Sequence, residues 1–167
     1  GNLTAQTADL VAGSSLTADG DVTVTDQLTM RGSAIDATRF TTSSSTLTGK
    51  NTISTTNGAT FGGGLSLSNG TSLAVTAGGL TANGTVLVAS GSELGVTGGL
   101  TTGNRANVTV GASGTLRVAG DFTANASVTV ESGADLNVQG GLSIANALTL
   151  ETFGLEENAE KTNFFAD

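Results

Sequence analysis

Short pairs of apolar residues, separated by one polar or small residue, recur along this chain. From Gly78 to Leu150 they fall into four copies of one pattern. Leu80 leads the first copy, followed by Asn83, Val86-Leu87-Val88, Gly91 and Leu94-Gly95-Val96. The second runs Leu100, Asn104, Val108-Thr109-Val110, Gly114, Leu116-Arg117-Val118. The third runs Phe122, Asn125, Val128-Thr129-Val130, Gly133, Leu136-Asn137-Val138. The last, Leu142, Asn146, Leu148-Thr149-Leu150, stops short. Val86, Val108, Val128 and Leu148 recur at a nearly fixed interval, which marks a stacked repeat architecture. Alternation at period two puts Val and Leu on one face and Thr, Arg and Asn on the other. Runs of three to five residues bounded by Gly or Asn, about three per period, predict an all-β fold. It is a single-chain parallel β-solenoid, or β-helix, of about seven coils with about 20–22 residues per coil and a non-repeat C-terminal tail. Coils about 4.8 Å apart would build a rod roughly 35 Å long.

Residues 1–150 are expected to form the solenoid. Leu3, Leu10 and Val11 read as a lead-in strand and a partial coil. Leu16, Val22-Thr23-Val24 and Leu28-Thr29-Met30 resume the repeat. Val22 lies three coil lengths before Val86, so the two are expected to share a phase. Residues 36–64 are degenerate. Ser43-Ser44-Ser45-Thr46 has no apolar member and reads as a loop or polar edge. Leu47, Ile53 and Phe61 are the expected inward residues there, with Phe40 filling a wider section. Gly64 and Gly79 are separated by clearly less than one period, which predicts a shortened coil between them. Residues 151–167 break the pattern, with Phe153, Leu155, Phe164 and Phe165 among acids; they read as a cap or an inter-subunit docking tail, with a short helix over 155–161.

Composition narrows the function. The net charge is −8, with six Lys and Arg in total, which argues against nucleic acid, because phosphate neutralisation needs clustered cations. No apolar run approaches the ~18 residues of a membrane span. Cys is absent, so no disulfide or thiolate site contributes. The Thr, Ser, Asn, Gly and Ala bias points to an extracellular or cell-surface location.

His, Cys, Tyr and Trp are all missing. That removes Ser-His and Cys-His nucleophilic sites and imidazole metal sites. Asp19, Asp21 and Asp26 could offer oxygen ligands to Ca²⁺, but a solvated corner is the better reading. Arg105 and Arg117 stand on different coils and do not make an enzymatic groove. No enzyme activity, cofactor or metal is expected. Asn83, Asn104, Asn125 and Asn146 recur at one corner and read as a structural Asn ladder. Outward Thr residues (Thr23, Thr109, Thr129, Thr149) raise an ice-binding reading. This column is one Thr wide and Leu87 interrupts it, so a plain β-branched ladder is preferred. Asn-x-Ser/Thr sequences at Asn2, Asn69, Asn83, Asn107 and Asn125 are little more than a Ser- and Thr-rich chain produces by chance.

The Gly-Gly-Leu-Thr, Val-Thr-Val and Leu-x-Val grammar over 63–150 resembles right-handed β-helix passengers of autotransporters and related surface adhesins. It also looks like phage tail-fibre repeats and, more loosely, bactofilin-type polymer-forming proteins. These resemblances imply a surface or filament protein. Each end of such a rod presents open strand edges that template another chain. The expected function is therefore structural: a self-assembling subunit of an extracellular filament or surface layer whose partners are copies of itself. Leu3, Leu10 and Val11 would meet Leu148, Leu150 and the Phe153, Leu155, Phe164 and Phe165 tail of a neighbour. The alternative is an adhesin or phage-fibre segment with a glycan or host receptor as ligand.

Overall fold

The computed structural model describes residues 1–151 of the chain. They form a parallel β-solenoid of about seven turns, with no helix. Three parallel sheets make its faces. The first has eight strands, from Leu3–Leu10 to Leu142–Ile144. The second has five, from Leu65–Leu67 to Leu148–Leu150. The third has seven, from Ser15–Thr17 to Asp135–Val138. Every strand pairs with its equivalents one coil away, so neighbours in space are about a full repeat apart in sequence. The backbone of one coil is satisfied by the next, through the strands and around the corners: the Leu80 N–H donates to the Gly99 carbonyl at 2.8 Å, and the Leu100 N–H to that of Asp121 at 2.8 Å.

The inward residues stack in register. On the first face Val22, Phe40, Ala59, Leu80, Leu100, Phe122 and Leu142 follow one another. On the third, Leu16, Ile35, Ile53, Val75, Val96, Val118 and Val138 do so. Each buried Leu or Val contributes roughly 1.5–3 kcal/mol. Volume is balanced within several first-face strands: Phe40 accompanies Thr42, Leu80 accompanies Ala82, and Phe122 accompanies Ala124. Ala59–Phe61 reverses the order, which sets Phe61 diagonally against Phe40, edge to face with centroids 5.9 Å apart. Phe40, Leu47, Ile53 and Phe61 are buried, as their spacing implied.

The pairing corrects several expectations. Val22 pairs with Phe40 and so belongs to the first face with Leu80; it is not in the second-face column of Val86. Leu16 lies on the third face. The phase slips because the early coils are shorter. The steps along the first face from Leu3 through Val22 and Phe40 to Ala59 are each shorter than any step from Ala59 to Leu142. The residues are saved at the corner entering the third face, where Ile35 follows Met30 by five positions and Val96 follows Val88 by eight. At the first corner Asp21–Arg31 and Arg39–Thr48 run through as long strands, with a register shift between Val24 and Gln27 where the chain bends.

Ser43–Thr46 is not a loop. It lies inside the strand Arg39–Thr48, where pairing with Gln27–Thr29 overrides its polar composition. The coil around Leu65–Gly79 is also not short, because Ala59–Phe61 supplies its first face. Gly63 and Gly79 occupy different corners: the Gly58 carbonyl receives the Phe40 N–H and the Gly79 carbonyl receives that of Ala59, whereas the Gly63 carbonyl receives that of Gly84.

The Asn residues do not form a ladder. Leu80, Leu100, Phe122 and Leu142 are in register, yet Asn83 and Asn125 follow their leading residue by three positions, and Asn104 and Asn146 by four. Asn83 therefore lies beside Gly103, and Asn125 beside Gly103 and Ala145. The Asn125 amide instead donates to the Thr102 carbonyl at 2.6 Å. None of the four has a positive φ.

Glycine is required at two corners. Between the third and first faces, a Cβ on Gly98 would collide with the Gly78 carbonyl. Between the second and third faces, the third residue after four of the second-face strands has a positive φ: Gly70, Gly91, Ser113 and Gly133, with φ of 73°, 70°, 60° and 76°. Ser113 is the non-glycine exception. Replacing it with Gly removes a left-handed penalty of about 1 kcal/mol and should raise the thermal midpoint. Gly98→Ala should lower stability by about 1–3 kcal/mol. Thermal or denaturant unfolding of the two variants checks both signs.

Candidate interface at the coil ends and along the flank

The apolar columns run on to the outermost coils, where no further coil of the described residues covers them. Among the described residues, the exposed large hydrophobics are Leu3, Val11, Leu87, Leu142, Leu148 and Leu150. All but Leu87 belong to the first or the last described coil. Val11 is 58 % exposed and Leu150 46 %; both exceed Leu87, on the second face, at 39 %. Leu10, Leu16, Leu136, Val138 and Ile144 are half-buried against the core. The strands Leu142–Ile144 and Leu148–Leu150 each have a partner on one side only, as do Leu3–Leu10 and Ser15–Thr17. Each end thus combines open backbone edges with an apolar cross-section.

Of the residues the sequence nominated for this interface, Leu3, Leu10 and Val11 lie together at one end and Leu148 and Leu150 at the other. Phe153, Leu155, Phe164 and Phe165 lie outside the described residues, as does the expected helix over 155–161. The sequence reading missed Leu142, Leu16 and Val138. Their signal was present, since each ends an apolar column, but only the correct phase shows which column reaches the end.

The flank carries a second array. The outward residue of each first-face strand is Thr4, Thr23, Thr41, Thr60, Thr81, Thr101, Thr123 or Ser143, every one paired with the next. Thr23 therefore belongs here, while Thr109, Thr129 and Thr149 form a separate second-face column that begins at Ser66 and Leu87. Beside the ladder, Gly58, Gly79 and Gly99 bear no side chains. With Asn57, Thr60 and Thr81 they line a shallow trough of about 290 Å³. A smaller trough of about 230 Å³ on the third face has Ala74 and Gly95 at its floor and Arg117, Asn137 and Gln139 at its side.

Charge is sparse and solvated. Arg117 lies 3.6 Å from both Glu93 and Asp135, one coil to either side. Arg31 meets Asp9 at 2.7 Å, and Arg39 meets Asp21 at 3.5 Å. Arg105, with φ 68°, sits in the corner 103–107, the longest first-to-second corner among the described residues. Asp19, Asp21 and Asp26 do not come together: no group of three or more acidic side chains that could hold a metal occurs among the described residues. No helix among them is long and apolar enough to cross a membrane.

Comparison with protein-family models, curated proteins and solved structures finds no match for this chain. The fold is thus defined by its own geometry, as a parallel β-solenoid.

Exposed ion pairs of this kind contribute about 0–1 kcal/mol. Arg117→Ala should therefore change unfolding free energy by less than about 1 kcal/mol, a shift that added salt should reduce further. A chemical-denaturation pair at low and high salt measures it.

Proposed function

We propose that the protein is a structural rod that associates with copies of itself head to tail, the last coil of one chain pairing with the first coil of the next. The observation that carries this reading is the concentration of exposed large hydrophobics at the two end coils, where strand edges are also open. Open edges and apolar ends are templates for further pairing. A second copy suits them because the columns continue. Leu142 would meet Leu3 on the first face and Leu150 would meet Leu10 around the first corner, while on the third face one rung would separate Val138 from Leu16. Both contacts are apolar-on-apolar steps of the kind that fill the interior. Stacked repeats gain most of their stability from neighbours, so an added coil gains on each side.

We place this rod outside the cell or at its surface, as a filament or layer subunit, on the Thr, Ser, Gly and Asn bias and the few lysines. A structural role asks for no catalytic group, and the chain carries no His or Cys that would suggest one.

Electron microscopy and sedimentation velocity at rising concentration test the proposal. The wild-type chain should give unbranched fibres and a concentration-dependent increase in mass. The double variant Leu142→Asp, Leu150→Asp places two charges on an already exposed end and should remain monomeric with an unchanged β-sheet circular dichroism spectrum. Wild-type monomers at all concentrations, or fibres from the double variant equal to wild type, would overturn head-to-tail stacking.

A further inference from the structure

The Thr ladder lies on the flank of the rod and is independent of its ends. Its eight rungs follow one another through consecutive parallel pairings; the two bulges in this sheet fall beyond the ladder position, after Ala5 and after Val24. With rungs about 4.8 Å apart the array is about 34 Å long. Each Thr holds a methyl and a hydroxyl on a stiff β-branched carbon, so one rung resembles the next. The hydroxyl both donates and accepts. No ladder hydroxyl is hydrogen-bonded to another group of the described protein, although other Thr side chains are: Thr42 donates to the Ser44 carbonyl and Thr38 to that of Asp19. The ladder's hydrogen-bonding capacity is therefore directed outward.

The surroundings define what this face accepts. From Thr60 to Thr101 its margins are Gly58, Gly79 and Gly99 on one side and Gly62, Asn83 and Gly103 on the other, with no charge on either. Further along the face, Asp21 pairs with Arg39, and Asp121 accepts the Gly141 N–H at 2.8 Å; Arg105 stands in the corner beyond Gly103. An ionic ligand meets no charge flanking the rungs Thr60, Thr81 and Thr101. Phe40, Phe61 and Phe122 are fully buried, so among the described residues no aromatic platform is offered to a sugar ring. What remains is a rigid, uncharged, one-dimensional lattice of alternating methyl and hydroxyl groups above a glycine trough.

We infer that this face binds ordered water, and that its ligand is the surface of an ice crystal. Water held at one rung is repeated at the next, so the array presents a periodic layer that a crystalline water surface can join. A single rung binds weakly. Eight rungs on one rigid body engage together, and multivalency converts weak contacts into lasting adsorption. Adsorbed rods would stop growth of the ice surface between them. The second-face column, interrupted by Leu87 and shorter, lacks this continuity.

The test is ice-recrystallisation inhibition together with partition of the full-length chain into slowly grown ice. Wild type should inhibit growth and enter the ice. Thr81→Tyr with Thr101→Tyr, which fills the trough while keeping β propensity, should lose both properties. Thr109→Tyr with Thr129→Tyr on the second face should keep them. Circular dichroism and thermal unfolding confirm the fold of each. Thr81→Lys supplies a second ladder variant should the double Tyr chain not fold, with the same loss expected. Exclusion of the wild-type chain from ice, or retention of full activity by a folded ladder variant, would overturn the proposal. Binding to microcrystalline cellulose or chitin that the ladder variants lose, without entry into ice, would assign the face to a linear glycan and overturn it as well.

Discussion

In-register parallel pairing between successive coils is the constraint on which everything else rests. A single coil has three short strands, no internal hydrogen bonds between them and too little apolar surface to hold itself closed. Stacked, it gives its N–H and C=O groups to the coils on either side, and its inward residues form continuous columns. This one requirement explains the burial pattern, the glycine corners and the tolerance of polar composition at Ser43–Thr46. That stretch is a strand because Gln27–Thr29 of the preceding coil supplies its partners, and not because its residues favour extended structure. The same requirement leaves an unsatisfied set of groups wherever the stack stops.

Much of the fold was legible in the sequence because a period-two apolar pattern repeated at a fixed interval has few physical realisations. Phase was the illegible part. Val22-Thr23-Val24 and Val128-Thr129-Val130 read identically, yet one lies on the first face and the other on the second. A three-residue in-out-in strand carries no mark of the face it occupies. Only the number of residues to each corner distinguishes them, and the early coils change that number by tightening the corner that enters the third face. The Asn residues misled for a related reason: a spacing that alternates between three and four looks constant by eye, but strand register does not forgive one residue.

The same slip governed the candidate sites. Leu3, Leu10, Val11, Leu148 and Leu150 were found because they lie near the ends of the repeat, a property independent of phase. Leu16 and Val138 were missed because they terminate a column that only the pairing reveals. The Thr ladder was hidden more thoroughly. Read with the wrong phase it looked narrow and broken by Leu87; read with the right one it is uninterrupted from Thr4 to Ser143. The chain's chemistry lies in spatial repetition and not in any reactive group.

One inward column changes character along the rod. At the corner entering the third face, Ser14, Ser33 and Asn51 occupy the positions taken in later coils by Leu73, Leu94 and Leu116. Asn51 donates its amide to the Thr48 and Gly49 carbonyls, and the buried Ser33 hydroxyl has no partner. The early coils therefore bury less apolar volume at this corner than the later ones. The rod thus has two ways of closing one corner: an Asn amide bonded to backbone carbonyls where long paired strands already hold the early coils, and Leu packed on Leu where the later strands are short.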